Sequence, residues 1–122
     1  MQENILIGNE ELCKEGATFL SFLDKDWNNL ITKVGPCTLK ADQTLSPYQA
    51  LIKSVIYQQL HPKAANAILR KFLHVFNESF PVSQNILEKK DQLSKCGLSK
   101  NKYQSILDIA LYEKNQLIPS YV

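Results

Sequence analysis

The sequence predicts an all-α fold, a helical bundle, on the strength of three observations. Apolar residues recur at intervals of three and four along almost the whole chain, which is the helical period. No stretch alternates apolar and polar residues convincingly, as a half-buried strand would. The segments between the predicted helices are short, as is typical of bundles. The hydrophobic share of 44% and the charged share of 21% are ordinary for a globular domain, and 122 residues can bury one modest core.

Two helices are predicted in the first third of the chain. The first carries one apolar stripe interrupted by Gly16, and its apolar residues are Leu12, Phe19, Leu20 and Leu23. Asp24 can cap a second helix, because an aspartate oxygen accepts hydrogen bonds from the unpaired N–H groups of a first turn. The apolar face of this second helix consists of Trp27, Leu30, Ile31 and Val34. Gly35 and Pro36 end it, since proline disfavours helix in the residue before it.

The third and fourth helices have the strongest local signals. Ser46, Pro47 and Gln49 supply an N-cap serine, a proline at the first helical position and a glutamine that can close a capping box. The predicted buried face of this helix is Tyr48, Leu51, Ile52, Val55 and Ile56. After a short break Pro62 starts the next helix, whose apolar face is Ala65, Ile68, Leu69, Phe72, Leu73 and Phe76.

The remaining helices are shorter, apart from the last. One starts near Ser83 and carries Ile86 and Leu87; another contains Leu93 and ends at Cys96 and Gly97, a C-cap glycine. Ser99 caps the final helix, whose apolar face is Tyr103, Ile106, Leu107 and Ala110. The predicted organisation is therefore a single domain, residues 1–122. Within it an N-terminal helix occupies residues 1–23, core helices residues 24–113 and a tail residues 114–122.

Several classes of site and location are disfavoured by the sequence. Three cysteines, Cys13, Cys37 and Cys96, are too widely spaced for a metal knuckle, and their odd number argues against a disulfide framework. Metal motifs and phosphate-cradling glycine loops are absent, so neither a metal nor a cofactor is expected. No apolar run approaches the roughly 20 residues that span a bilayer, and no signal peptide is present. We therefore expect a cytoplasmic protein without a membrane partner.

Charge is unevenly distributed between the two halves of the chain. Residues 1–60 carry five lysines and seven acidic residues, which gives −2, whereas residues 61–122 carry nine basic and five acidic residues, which gives +4. A basic second half could face a polyanion. An ordinary solvated surface with uneven charge explains the same numbers, so charge alone decides nothing.

Nucleophilic catalysis has little support in the sequence. The two histidines, His61 and His74, have no serine or cysteine partner in any recognisable motif. His74 falls on the polar side of the fourth predicted helix, where an exposed surface residue is expected. No catalytic residue is therefore predicted.

One segment between two well-marked helices combines residues suited to DNA. It reads Gln58, Gln59, Leu60, His61, Pro62 and Lys63. A helix N-terminus is a favourable site for phosphate, and here a lysine lies beside it. Amide side chains both donate and accept hydrogen bonds, so they can contact base edges without bringing charge into a duplex. The alternative is a structural corner in which His61 caps the helix and Gln58 bonds the backbone.

The residues around this segment resemble a known family. Pro47 and Tyr48 match the proline–aromatic helix start of helix-hairpin-helix DNA glycosylases, in particular the 3-methyladenine DNA glycosylase II group. Upstream, Leu30, Ile31, Val34, Gly35 and Pro36 resemble the end of the preceding helix in this family. The further matches are Gln58, Gln59, Leu60, His61, Lys63, Ala64 and Ala65, and then Gly97, Leu98, Ser99 and Lys102. These matches keep the family's order from about residue 24 to residue 112. The resemblance implies an enzyme of base-excision repair that flips a damaged nucleotide out of duplex DNA.

The resemblance also implies roles for the residues of the segment. Gln59 would be the plug that fills the space left by the flipped base, and Gln58 would hold the loop from inside. His61 could contact the minor groove or a phosphate, and Lys63 would position the DNA backbone. Leu60 completes this predicted plug loop. The implied partner is double-stranded DNA with a damaged base.

The sequence departs from the family pattern in one important respect. The glycosylases continue into a helix-hairpin-helix and a catalytic aspartate, and nothing here matches either of them. Asp108 lies in the final predicted helix and is interpreted as a solvated residue. The expectation is an incomplete six-helix barrel, a truncated fragment that is inactive and binds DNA weakly, with self-association through an exposed core. The alternatives are a non-catalytic DNA- or protein-binding module and an unrelated helical bundle.

Overall fold

The computed structural model describes residues 8–40 and 43–120. Every regular element in these ranges is a helix, which confirms the predicted all-α class. The helices are α1 (Glu10–Ser21), α2 (Lys25–Val34), α3 (Pro47–Tyr57), α4 (Pro62–Val75), α5 (Ser83–Glu88), α6 (Lys90–Leu93) and α7 (Lys100–Lys114). None of them combines the length and apolarity that a transmembrane helix needs. The cytoplasmic location stays a prediction.

The helices fall into two compact units, one containing α1 and α2 and the other α3 to α7. The sequence prediction grouped residues 24–113 as core helices, whereas the contacts group α2 with α1. The assignment of the whole chain to a single domain stays a prediction.

The two helices of the first unit have well-formed ends, and neither α1 nor α2 contains a buried residue. Asp24 accepts a hydrogen bond from the N–H of Trp27 at 2.9 Å, which confirms the predicted cap of α2. Gly35 follows α2 with a φ of +83°, a conformation that glycine adopts at no steric cost. Most of the two predicted apolar stripes is open to solvent: Phe19 is 67% exposed and Val34 is 72% exposed, whereas Leu20 and Ile31 are partly buried.

The second unit holds the hydrophobic core. Its buried members are Tyr48, Ile52, Ile56, Phe72, Phe76, Ile86, Leu93, Cys96, Ile106 and Ala110. The helix α7 packs against α3 and α5, and α3 also packs against α4. The predicted faces of α3, α4 and α7 therefore point into one core, except at Leu51, which is 44% exposed. Its predicted burial was wrong because the buried residues of α3 recur every four positions and form a narrower stripe.

The helix ends of this unit follow the local signals in the sequence, with one exception. The Ser46 hydroxyl accepts from the Gln49 N–H at 3.2 Å, and the Gln49 side chain accepts from the Ser46 N–H at 3.1 Å, so the capping box is confirmed. Ser99 caps α7, as predicted. The predicted end of α6 at Cys96 and Gly97 was wrong: α6 ends at Leu93, and Gly97 (φ +85°) lies in the turn that leads to α7.

Candidate nucleic-acid interface

The loop between α3 and α4, residues 58–61, is here named the corner loop. Gln58 ends α3, and its N–H donates to the Ser54 carbonyl at 3.0 Å. The Leu60 N–H donates to the Tyr57 carbonyl at 3.3 Å, which makes the turn tight. His61 then caps α4. The predicted break between the two helices is therefore a four-residue turn with its own hydrogen bonds.

Gln59 occupies an uncommon backbone conformation within this loop. Its φ is +56°, in the left-handed region that glycine and asparagine usually fill after a helix. For an L-residue with a Cβ atom, this conformation is about 1 kcal/mol less favourable than the right-handed one. Such strain persists only where the surroundings hold the backbone in place, and it is common at functional sites. The side chain of Gln59 is exposed.

A lysine from α7 supplies part of that support. The Lys102 ammonium donates to the carbonyl of Ile56 at 2.9 Å and to the carbonyl of Gln58 at 2.7 Å. The last carbonyls of a helix lack partners within the helix and carry a partial negative charge, so an ammonium is well placed there. Ser99 fixes the start of α7 by accepting from the Lys102 N–H at 3.2 Å.

His61 performs the capping role that the structural alternative assigned to it. Its Nδ1 accepts a hydrogen bond from the Lys63 N–H at 3.2 Å. Because Nδ1 acts as an acceptor, the neutral ring carries its proton on Nε2. The imidazole is exposed, and so is the Lys63 side chain that follows it.

A second contact joins the two helices beside the corner loop. The Tyr57 hydroxyl donates to the side-chain oxygen of Asn66. The Lys53 ammonium lies 5.8 Å from the centre of the Tyr57 ring, within reach of a cation–π interaction. Nothing local in the sequence indicates that Tyr57 and Asn66 meet. The contact of Lys102 with the loop likewise has no local signal, although Lys102 belongs to one of the matching motifs.

The predicted site residues all lie at this corner and all are exposed. They are Gln58, Gln59, Leu60, His61 and Lys63. The contacts of Gln58 described above are made by its backbone, so the idea that its side chain holds the loop from inside stays a prediction.

The other polar residues considered in the sequence lie away from the corner loop. His74 is near the opposite end of α4, where its side chain is 84% exposed and lies 2.8 Å from Glu78. Asp108 is exposed and accepts from the Gln104 side chain at 3.0 Å, which confirms its interpretation as a solvated residue. Within residues 8–40 and 43–120, no group of three or more histidine, cysteine or acidic side chains is arranged to hold a metal ion.

Comparison with curated proteins finds relatives of this chain that are named as DNA glycosylases or glycosidase-like proteins. It is 37% identical over 110 residues to the alkylbase DNA glycosidase-like protein mag2 of Schizosaccharomyces pombe, a match that covers 88% of this chain and 52% of the relative. It is 36% identical over 104 residues to DNA-3-methyladenine glycosylase 1 of the same yeast, covering 83% and 46%. The chain is homologous to part of the alkylbase DNA glycosylases. No family model matches it.

A solved structure supports the same relationship for the fold. The chain superposes on the Schizosaccharomyces pombe 3-methyladenine DNA glycosylase in complex with abasic DNA with a TM-score of 0.65. The identity is 34%, and the match covers 87% of this chain and 53% of the glycosylase. The alkylbase glycosylase resemblance read from the sequence is therefore confirmed. The chain spans about half the length of the glycosylases it matches.

Proposed function

We propose that this chain provides the DNA-wedging part of an alkylated-base DNA glycosylase of the 3-methyladenine type, acting in base-excision repair. The observation that carries the proposal is the corner loop. It presents the exposed Gln59 in a left-handed conformation, and Lys102 ties the loop to α7. Homology to glycosylases supports this reading, and one homologous structure contains abasic DNA.

Gln59 is the residue proposed to enter the duplex. Flipping a nucleotide out of the stack costs a few kcal/mol, and the vacated space must then be filled. A glutamine amide is uncharged and both donates and accepts hydrogen bonds, so it can replace some of the lost base contacts. Because the loop is already held by its own hydrogen bonds, it loses little further conformational entropy when it enters the DNA.

The start of α4 is proposed to contact the DNA backbone. Pro62 has no N–H group, and His61 accepts from the N–H of Lys63. The next amide, that of Ala64, is therefore the first donor that α4 can offer to a phosphate. The Lys63 ammonium adds charge beside it, and His61 can use Nε2 toward the minor groove or a phosphate.

We propose that this chain's own residues do not catalyse hydrolysis of the glycosidic bond. The reaction develops positive charge on the sugar, which an anionic side chain must stabilise. By the resemblance, this is an aspartate that follows a helix-hairpin-helix, and the sequence matches neither. Asp108 is hydrogen-bonded to Gln104 on the surface of α7. Release of 3-methyladenine from alkylated DNA by the purified chain would contradict the proposed inactivity.

DNA binding itself can be measured with a fluorescent duplex containing an abasic site. We expect weak binding that falls steeply with salt, because phosphate contacts release counterions. Lys63→Ala should reduce the slope of log K against log salt by about one. Lys114→Ala, which removes an exposed lysine from the last turn of α7, is the matched control and should leave the slope unchanged. Equal slopes for Lys63→Ala and the unsubstituted chain would contradict the proposed phosphate contact.

A non-catalytic DNA-binding module is the second candidate function. The observation that favours it is the position of Asp108, which is hydrogen-bonded to Gln104 on the surface of α7. The corner loop then remains as the functional feature of the chain. Tight binding of the abasic duplex by this chain, together with no detectable release of 3-methyladenine from alkylated DNA at saturating protein, would favour the module over a fragment of an enzyme.

Self-association is a further proposal, based on exposed apolar side chains. Phe19, Phe22 and Val34 are 67%, 85% and 72% exposed. Burying such residues between two copies would remove them from water. Sedimentation velocity over a range of concentrations tests this, and a monomer at all of them would contradict it.

A further inference from the structure

The Lys102 ammonium is hydrogen-bonded both to the end of α3 and to the corner loop. Lys102 Nζ lies 2.9 Å from the Ile56 carbonyl oxygen and 2.7 Å from the Gln58 carbonyl oxygen, although the lysine is 46 and 44 residues further along the chain. Its side chain is half-buried, and its backbone belongs to the first turn of α7. The ammonium therefore connects the loop to a helix that packs directly against α3.

The bond to Gln58 bears on the conformation of Gln59. The Gln58 carbonyl and the Gln59 N–H belong to the same planar peptide group. A hydrogen bond that fixes the carbonyl oxygen therefore fixes the orientation in which the chain enters Gln59, where φ is +56°. In a chain without this bond, the peptide could rotate and let Gln59 return to the more favourable right-handed or extended regions.

We propose that Lys102 is the positioning residue of the corner loop: it holds the peptide before Gln59 so that the glutamine side chain is presented to DNA. This inference rests on the proposed function of Gln59 as the plug. The competing explanation is that Lys102 serves DNA by contacting a phosphate itself. The two explanations differ in what the loop does when no DNA is present.

The first test measures the loop in the free protein. Hydrogen exchange of the Leu60 amide, which donates to Tyr57 across the turn, reports whether the loop is held. Lys102→Met should speed this exchange at least tenfold. Lys102→Arg, whose guanidinium can also donate to two carbonyls, should stay within about threefold of the unsubstituted chain. Lys100→Met removes an exposed lysine two positions earlier and serves as the control.

Circular dichroism shows whether Lys102→Met is folded. In a folded Lys102→Met protein, the amides of α4 should keep their protection from hydrogen exchange while the Leu60 amide loses it. If Lys102→Met does not fold, Lys102→Arg decides the matter: preserved Leu60 protection supports the inference, and its loss in a folded Lys102→Arg protein overturns it. Unchanged Leu60 exchange in a folded Lys102→Met protein also overturns it.

The second test is a double-mutant cycle on binding of the abasic duplex. Lys102→Met should weaken binding about as much as Gln59→Ala does, and the double variant should bind no more weakly than Gln59→Ala alone. The salt slope should remain that of the unsubstituted chain. Additive losses, or a slope reduced by about one, would assign Lys102 to a phosphate and overturn the positioning role.

The two tests also separate this inference from the proposed function. If Gln59→Ala binds the duplex like the unsubstituted chain, the plug proposal fails. Leu60 exchange in the free protein then still decides whether Lys102 holds the loop. If Gln59→Ala weakens binding and Lys102→Met adds an independent loss, the plug stands and the positioning role fails.

Discussion

The hydroxyl of Tyr48 donates a buried hydrogen bond to the carbonyl of Pro81 at 2.9 Å, which ties the start of α3 to the segment before α5. The Tyr48 ring also meets Phe80 edge to face, with the ring centres 6.1 Å apart. One residue thus joins the helix that leads to the corner loop with the segment that precedes α5.

Removal of that hydroxyl should destabilise the protein. We expect Tyr48→Phe to lower the free energy of unfolding by about 1–2 kcal/mol, because the buried carbonyl of Pro81 loses its partner. Urea denaturation followed by circular dichroism measures the difference. Tyr112→Phe, at a residue that is 56% exposed, is the control and should change stability by less than about 0.5 kcal/mol. Equal stability of the two variants would contradict the assigned role.

Stability should also fall at alkaline pH because of the same residue. Burial, and to a lesser extent the charge of Glu113, raises the pKa of Tyr48 well above its ordinary value. The folded state therefore keeps this proton where the unfolded chain loses it, so stability decreases as the pH rises above about 10. Subtracting the pH profile of Tyr48→Phe from that of the unsubstituted protein isolates the effect. A difference that stays constant between pH 9 and 11 would refute it.

Two glycines should respond in opposite directions to alanine. Gly97 has a φ of +85°, so Gly97→Ala should destabilise the protein by about 1 kcal/mol through backbone strain alone, since the added Cβ would meet only Ile68 at an ordinary 3.9 Å. Gly16 lies inside α1 with open space around it, and Gly16→Ala should stabilise that helix by about 0.5–1 kcal/mol. Thermal unfolding of both variants provides the comparison, and changes of the same sign would contradict the account.

The three cysteines should react with iodoacetamide in a fixed order. Cys37 is exposed and should react first. Hydrogen bonding to Cys37 and partial burial raise the pKa of the Cys13 thiol, and burial raises that of Cys96, so both hold less of the reactive thiolate. Cys96 is also buried, and its single S–H lies 3.7 Å from the carbonyls of both Lys71 and Gln92, either of which can accept it, so Cys96 should react last. Mass spectrometry of peptides at timed intervals measures the order, and early labelling of Cys96 would argue against the described core.

Features that depend on neighbouring residues in the sequence could be predicted from it. The capping box of Ser46 and Gln49 and the cap at Asp24 are local pieces of chemistry, and the structure contains both. The corner loop was located from the helix signals on either side of it. The resemblance of the chain to alkylbase DNA glycosylases followed from the order of short matches, and the curated relatives confirm that resemblance.

Features that depend on distant packing could not be predicted in the same way. The contact between Lys102 and Gln58 joins residues 44 positions apart, and only the packing of α7 on α3 brings them together. The left-handed conformation of Gln59 has no local signal either, since glutamine rarely adopts it. Leu51 was assigned to the core because its spacing fits a helix face, but the partner helices cover a narrower stripe.

The most direct test of the central claim is whether Gln59 wedges DNA open. A duplex carrying 2-aminopurine as the base to be flipped becomes more fluorescent when that base leaves the stack. At saturating protein, the unsubstituted chain and Gln92→Ala, which truncates an exposed glutamine of α6, should both raise the fluorescence, whereas Gln59→Ala should give less than about a third of that rise. A full rise with Gln59→Ala would contradict the claim that this residue opens the duplex.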